Sequence, residues 1–343
     1  MKRQRFLGLA VVLLVSFFAG QPVFAAPMDD LVAAAKKEGM LELYAPSTLT
    51  PEGSQALGQA FNKKYSLNLK VQYSPSGNMT RDIGKIVGNA ATGVAPEWDI
   101  MVVTDAHHGT LWLRKLHKTF DYRQLGVDPK LIQYDGGVVS LANQFVLPAY
   151  NKDILPAKDV PRKWEDLLDP KWKGGKLGIP TATHQLARLA FGPWGEKKTT
   201  EFVRALAKQE PSLGPMGTLY NRLLLGEILI MGTVSDSEVN RAKKSGAPIV
   251  FAEGIEPVVS PAYHVGVLKG ALHHNAGHLF SAFLISQEAQ ALWEKYGGQT
   301  SAFVPGTNAY QYVQGKQVIY MTQDQAKDVD RLSRDYGKML GYK

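Results

Sequence analysis

The sequence predicts an α/β protein of two lobes, each a mostly parallel sheet flanked by helices, joined by two hinge crossings. Three observations carry this expectation. Strand-then-helix units follow one another from Leu41 to Leu116, the pattern of a parallel sheet covered by its own crossover helices. A chain of 343 residues is long enough for two hydrophobic cores rather than one. An apolar strand at Gln144 to Tyr150 then gives way to Pro156, Pro161, Pro170 and tryptophan-rich turns, a change of texture that marks the passage into a second lobe.

The chain opens with an export signal. Lys2, Arg3 and Arg5 precede an apolar run from Phe6 to Phe18, and Val23-Phe24-Ala25 offers cleavage after Ala25. The run is shorter than the roughly 20 residues a membrane span needs. A helix capped by Asp29 or Asp30 then continues to Gly39. Leu41 to Tyr44 is a strand, and Pro51 stands just inside the next helix, which runs to about Tyr65. Leu69 to Tyr73 alternates as a strand does, and Gly77 to Ala91 is helical. The continuous apolar run Trp98 to Val103 suits a buried parallel strand, followed by a helix over Ala106 to Leu116.

Beyond the crossing, a strand at Lys176 to Ile179 leads to helices over Gln185 to Phe191, Glu196 to Lys208 and Thr218 to Leu225. Ile228 to Met231 is a strand, Ser235 to Lys244 a helix, and Pro248 to Phe251 a short strand. Tyr263 to Leu268 returns to the first lobe, followed by helices over Ala276 to Ser286 and Gln287 to Tyr296. Asp324 to Leu340 is a helix packed on the outside. The expected division is therefore 1–25 as signal peptide, 26–147 with 262–343 as the first lobe including its C-terminal helices, and 148–261 as the second lobe.

Composition narrows the function classes. Apolar residues make up 45% and charged residues 20%, so the chain is globular. Cysteine is absent, which excludes disulfides, thiolate metal sites and cysteine nucleophiles. Removing the signal lowers the net charge from +8 to +5, a balance that suits an anionic ligand or plain solubility. Lysine and arginine are scattered, with no basic stripe interleaved with aromatics, so nucleic acid is not an expected partner.

Two stretches carry a family likeness. Trp164 to Ile179, WEDLLDPKWKGGKLGI, resembles the W-x-DLLDPKWKGK segment of periplasmic solute-binding proteins of ABC importers, in the branch that includes ferric-iron binders. It has one extra glycine at Gly174-Gly175. Leu279 to Gln290 is similar to the F-x-x-FLLS-x-E-x-Q region of the same family. The resemblance implies the type II two-lobed periplasmic-binding-protein fold, a small solute held between the lobes, a periplasmic location and an inner-membrane ABC permease as partner. It implies no catalysis and no cofactor, and the protein is expected to be a monomer.

Candidate ligand residues lie where strands run into helices, the edge at which open α/β sheets bind ligands. Ser47 and Thr48 follow the first strand, Ser76, Gly77 and Asn78 the second, and Thr104 and Asp105 the third. Thr181, Thr183 and His184 follow a strand of the other lobe, and Thr233, Ser235 and Asp236 follow another. Backbone N–H groups at a helix start, aided by the helix dipole, hold phosphate or carboxylate without a full counter-charge. A Ser or Thr taken singly is more often a plain N-cap, and it is the set of four loops facing one cleft that points to a ligand. Gly77 lets the backbone approach a ligand and is able to adopt positive φ. Tyr44, Tyr73, Tyr150 and Tyr263 either line the cleft or belong to the core faces of their strands.

The ferric branch uses adjacent tyrosines after the strand that here ends at Met231. This chain has Gly232-Thr233-Val234-Ser235-Asp236 there, without tyrosine. His107-His108 and His273-His274 are neighbours pointing about 100° apart on a helix, so neither pair makes a ready chelate. No G-x-S-x-G elbow, H-E-x-x-H helix, Walker loop or G-x-G-x-x-G turn is present. The expected ligand is a small anionic organic solute, phosphorylated or carboxylated, with no metal. Ferric iron is the alternative within the same class, and an exported hydrolase the alternative from another.

Overall fold

The computed structural model describes residues 25–342. The expected signal peptide lies outside them, apart from its last residue. The first lobe begins with helix α1 (Ala25–Glu38), β1 (Met40–Pro46), α2 (Thr50–Tyr65), β2 (Lys70–Ser76), α3 (Met79–Ala91), β3 (Ile100–Thr104) and α4 (Asp105–Trp112). Short strands β4 (Ile132–Gln133) and β5 (Val138–Asn143) complete its first pass. The second lobe holds β6 (Val146–Asn151), β7 (Leu177–Pro180), α5 (His184–Ala187), α6 (Gly195–Ala207), β8 (Ser212–Gly214) and α7 (Met216–Leu224). It continues with β9 (Ile230–Ser235), α8 (Asp236–Ser245), β10 (Ile249–Phe251) and β11 (Val258–Ser260). The chain returns through β12 (Ala262–Val267), α9 (His274–Phe283) and α10 (Gln287–Gly297), and ends with α11 (Asn308–Tyr312), β13 (Val318–Tyr320) and α12 (Ala326–Leu340).

The first sheet has the order β2-β1-β3-β12-β5-β4 and the second β13-β11-β6-β9-β7-β8, with β10 also paired to β6. Within the first, β1 runs parallel to β2 and β3, and β12 enters antiparallel between β3 and β5. Ile100 to Val103 are fully buried, as expected of a strand covered on both faces. β5 was not foreseen: its Val-Val-Ser-Leu-Ala-Asn run is too mixed to read as a strand, yet every residue of it is buried. Helix α1 starts four residues ahead of Asp29, so neither aspartate caps it. Asn78 caps α3, which is why that helix begins at Met79 rather than Gly77.

Trp164 and Trp172 explain the tryptophan-rich turns. Both are buried in the second core, and the indole of Trp164 donates to the Pro257 carbonyl at 2.9 Å while that of Trp172 donates to Asp166 O at 2.8 Å. Gly174 and Gly175 follow with φ of 74° and 84°, a left-handed pair that glycine adopts at least cost.

Three passages join the lobes, one more than expected. Asn143 ties them together. Its side-chain amide donates to Ser260 Oγ at 3.1 Å, its Oδ1 accepts from Ala302 N at 2.8 Å, and its own N–H reaches Thr300 O at 2.9 Å. The third passage, around Gln299 to Ala302, carries the chain back into the second lobe. Ala302, Ala309, Ile319, Leu332, Tyr336 and Leu340 belong to that lobe's core. Residues beyond about 300 therefore pack with the second lobe, where 262–343 was expected on the first. The physical reason is the amphipathic face of α12: it lies against α5 and α6 and also touches α4, so it spans both lobes instead of covering the outside of one. Among the described residues no helix is long and apolar enough to cross a membrane.

Candidate functional site

Register brings the first-lobe candidates onto one edge. β1 and β2 pair Pro46 with Ser76, so Ser47 lies beside the Ser76–Asn78 loop, and Thr104 pairs with Tyr263 on β12. Ser47, Thr48, Gly77 and Asn78 are exposed and Ser76 is half-buried. Asn78 is occupied as a cap, its Oδ1 accepting from Arg81 N at 3.0 Å. Gly77 does not take positive φ, and an added Cβ would meet only the end of Arg81 at 3.8 Å. No left-handed turn calls for glycine there.

The second-lobe candidates divide. Thr181 is exposed at the end of β7 and His184 is half-buried at the start of α5. Thr183 is buried, and its hydroxyl donates to the Ser333 carbonyl of α12 at 2.8 Å, which makes it a staple for the C-terminal helix. Thr233 lies inside β9, not in a loop, because the strand continues to Ser235, which pairs with Val146. Its hydroxyl is buried without a partner. Ser235 and Ser237 both bond the Glu238 carboxylate at the start of α8. Tyr263 stands by Gln144, whose amide donates to its hydroxyl at 3.4 Å.

Asp105 is taken by a partner the sequence did not suggest. Arg188, 83 residues away on the turn after α5, meets it with two hydrogen bonds of 2.6 and 2.8 Å, and both side chains are 1% exposed. Ala262 N–H, at the β11–β12 passage, adds a third donor at 3.2 Å. Burial raises the Asp105 pKa and Arg188 more than offsets it, so the carboxyl stays below its ordinary value. The pair is therefore an ionic bond between the lobes, and Asp105 is not free for a ligand.

Beside that pair lies a cavity of about 640 Å³ with walls from α3, α4, α5 and α12. Thr80, Thr104, Thr110 and Ser333 supply hydroxyls, and Arg114 and Arg334 supply positive charge. His107 bridges two of the hydroxyls, with Nδ1 2.8 Å from Thr104 Oγ1 and Nε2 3.1 Å from Thr80 Oγ1. Across the cavity, burial and then the charge of Arg188 push the His184 pKa down to about 4, and burial also lowers that of His107. Both rings are accordingly neutral near pH 7, able to donate or accept a hydrogen bond. The single carboxylate in the wall, Asp330, is paired to Arg334. Four residues make α5 too short to supply a helix-terminus anion site, so the side chains carry the chemistry.

The other histidine of that pair has a different fate. His108 is buried, with Nε2 3.0 Å from the His264 carbonyl and Nδ1 3.0 Å from His117 Nε2. These contacts make Nε2 the donor to the carbonyl and His117 the donor to Nδ1. His274 opens α9. Among the described residues no group of three or more His, Asp or Glu is placed to hold a metal ion.

A second cavity of about 410 Å³ lies between α8, the end of α10 and α11. Asp236 lines it, together with Gln299, Tyr312, Phe145, Glu253 and Glu294. Arg188, Arg114 and Gln299 escaped the sequence reading, as single polar residues with no pattern around them. His107 was seen there only as half of an adjacent pair.

Known proteins agree with this architecture. Residues 113–329 match the model of a family described as bacterial extracellular solute-binding protein. An uncharacterized protein of Haemophilus influenzae is 31% identical over 155 residues, a match spanning 42% of either chain. Iron-bound HitA of Pseudomonas aeruginosa superposes with a TM-score of 0.66 at 19% identity, covering 87% of this chain and 99% of that one. AfuA of Actinobacillus pleuropneumoniae, solved with fructose-6-phosphate, gives 0.66 at 20% identity over 88% and 98%. A substrate-binding protein of an ABC transporter from Bradyrhizobium japonicum gives 0.70 at 16% over 88% and 99%.

Proposed function

The chain belongs to the bacterial extracellular solute-binding proteins, and from that membership we propose that it captures a small anionic organic solute between its lobes and delivers it to an ABC permease. It is a binding protein and not an enzyme. In this reading it works in the periplasm as a monomer, and the solute-loaded, closed form is what the permease recognises. Solute contact with both lobes stabilises closure by its differential affinity for the closed state.

One observation carries the anionic reading. The larger interlobe cavity, about 640 Å³, sets four hydroxyls, two neutral histidines and two arginines against a single, already paired carboxylate. Pockets of roughly 300–1,000 Å³ suit small organic ligands. Arg114 and Arg334 would meet phosphate or carboxylate oxygens, since a guanidinium bonds such groups through two N–H donors at once. Thr80, Thr104 and His107 would orient the hydroxyls of a sugar or hydroxy acid. The structural relative solved with fructose-6-phosphate supports a phosphorylated solute, while iron-bound HitA supports the alternative cargo. Against iron stands the lack of tyrosine at residues 232–236.

Native mass spectrometry of the protein as purified tests this directly. A released organic phosphate or carboxylate supports the reading. Iron released in equimolar amount, with visible charge-transfer absorbance, replaces it with the alternative.

A further inference from the structure

His107 and His184 line the larger cavity from different lobes, and their rings are held differently. Both nitrogens of His107 are engaged, Nδ1 with the Thr104 hydroxyl at 2.8 Å and Nε2 with the Thr80 hydroxyl at 3.1 Å. His184, the first residue of α5, has no hydrogen bond to either ring nitrogen among the described residues. Neither nitrogen is sealed off, in contrast to the buried, unpartnered Nδ1 atoms of His117 and His264. The His184 ring is therefore free to bond what enters the cavity. It offers one donor and one acceptor when neutral, and two donors when charged.

Charged groups reach this ring from three of the elements around it. Arg188 follows on its own turn, and Asp105 opens α4, the two bonded to each other. His107 and Arg114 are also on the α4 side, α12 brings Arg334 with its partner Asp330, and α3 contributes the neutral Thr80. The protein's own charges disfavour an imidazolium at His184. Burial is the largest cause and Arg188 the next, while Asp105 pulls the other way with less effect, so the ring sits at about 4. Charge on His107 would oppose charge on His184 as well.

A bound anion reverses that balance. Phosphate or carboxylate oxygens on Arg114 and Arg334 bring negative charge into the cavity that His184 lines. An opposite charge within about 4–6 Å favours the charged form of a histidine, enough to return it toward its ordinary range. One proton, not two, is taken up, because the two imidazoles repel each other when both are charged. His107 already has a hydroxyl on each nitrogen, and His184 has none.

We propose that His184 determines the selectivity of this site for anions: it takes a proton from solvent as an anionic solute enters, and its imidazolium bonds the anion beside Arg114 and Arg334. This rests on the anionic reading of the larger cavity. The wall becomes fully cationic only around a solute that carries negative charge. A neutral sugar of the same size meets a neutral imidazole and gains no ionic contact. The complex holds more protons than the free protein, so affinity for an anion rises as pH falls from about 7.5 toward about 5.

Calorimetric titration of the full chain with fructose 6-phosphate and with glucuronate, at pH about 7.5 and about 5.5, tests the proposal beside His184→Gln and His107→Gln. Phosphate titrates in the same range, so the quantity read is the affinity of the unaltered chain divided by that of the variant, in which the solute's own titration cancels. For His184→Gln this ratio rises about fivefold or more on going to the lower pH. For His107→Gln it changes by less than about twofold. In buffers of unlike ionisation enthalpy near pH 6, the unaltered chain takes up more protons per solute than His184→Gln does. His184→Asn stands in if thermal denaturation shows His184→Gln to be unfolded. A ratio for the residue-184 variant that ignores pH, or one that moves with His107→Gln instead, overturns the proposal and leaves the anionic reading standing. Failure of both probes to bind at either pH overturns that reading and the proposal with it.

Discussion

In the larger of two cavities, Arg114, Arg334, His107 and His184 stand among threonine and serine hydroxyls. In the smaller, Asp236, Glu253 and Glu294 stand among Phe145, Phe251 and Tyr312. The hydroxyls of the first set are satisfied within the protein: Thr80 and Thr104 bond His107, Thr110 bonds the Ala106 carbonyl, Ser333 bonds Thr183, and Asp330 is paired. Asp105 and Arg188 bond the lobes to each other at the β11–β12 passage. The contrast teaches that a two-lobed cleft need not be one site. A buried ion pair holds Asp105 and Arg188 away from any ligand, and the two cavities are left with linings of different sign.

The division is broken most severely at that pair. Arg188→Ala leaves Asp105 as an uncompensated buried carboxylate and should cost about 3–5 kcal/mol in chemical denaturation. Replacing both partners, Asp105→Asn with Arg188→Met, should cost less than the single change. A loss below about 1 kcal/mol for Arg188→Ala would mean that the pair does not hold the lobes together.

Acid should act next. Burial pushes His117, His184 and His264 down to about 4, His278 to about 3, and His108 well below its usual value. A histidine whose folded pKa lies under its unfolded value of about 6.5 stabilises the fold above that pH and loses the contribution as pH falls toward the folded value. Tm should therefore drop by about 10 °C or more between about pH 7 and pH 4.5. A flat profile over that window would place these rings in water.

Asp236 has the opposite sign. Its folded pKa is raised to about 7 from 3.8, so the folded state holds the proton more tightly and stability declines as pH rises through that interval. Asp236→Asn should raise Tm by about 3 °C or more near pH 8 and by less near pH 5. An equal gain at both pH values would show that the carboxylate is solvated, and the smaller cavity would lose its character. The smallest effect is expected at Gly77, where Gly77→Ala should change stability by less than about 0.5 kcal/mol, because its φ is ordinary and the space is open.

These contrasts also mark what a single sequence conveys. The edge loops were legible because strand and helix patterns bracket them: Ser47, Asn78, Thr104 and Thr181 all lie at strand ends. Thr233 was misplaced because Gly232 interrupts the apolar run at Met231, while the ladder to β6 carries the strand on to Ser235. Asp105 and Thr183 were read as ligand groups because their partners, Arg188 and Ser333, lie 83 and 150 residues away. The position of α12 was hidden for the same reason: an amphipathic helix announces its apolar face and not the surface it will cover.

The central claim is that the solute occupies the larger, basic cavity. Calorimetric titration with a hexose phosphate, on the unaltered chain and on Arg114→Ala, tests it most directly. The account predicts binding that weakens about tenfold in the variant, the loss of one charge-assisted contact of about 1.4 kcal/mol. Undiminished hexose-phosphate affinity in Arg114→Ala, or ferric iron binding with visible charge-transfer absorbance in place of any anion, would contradict it.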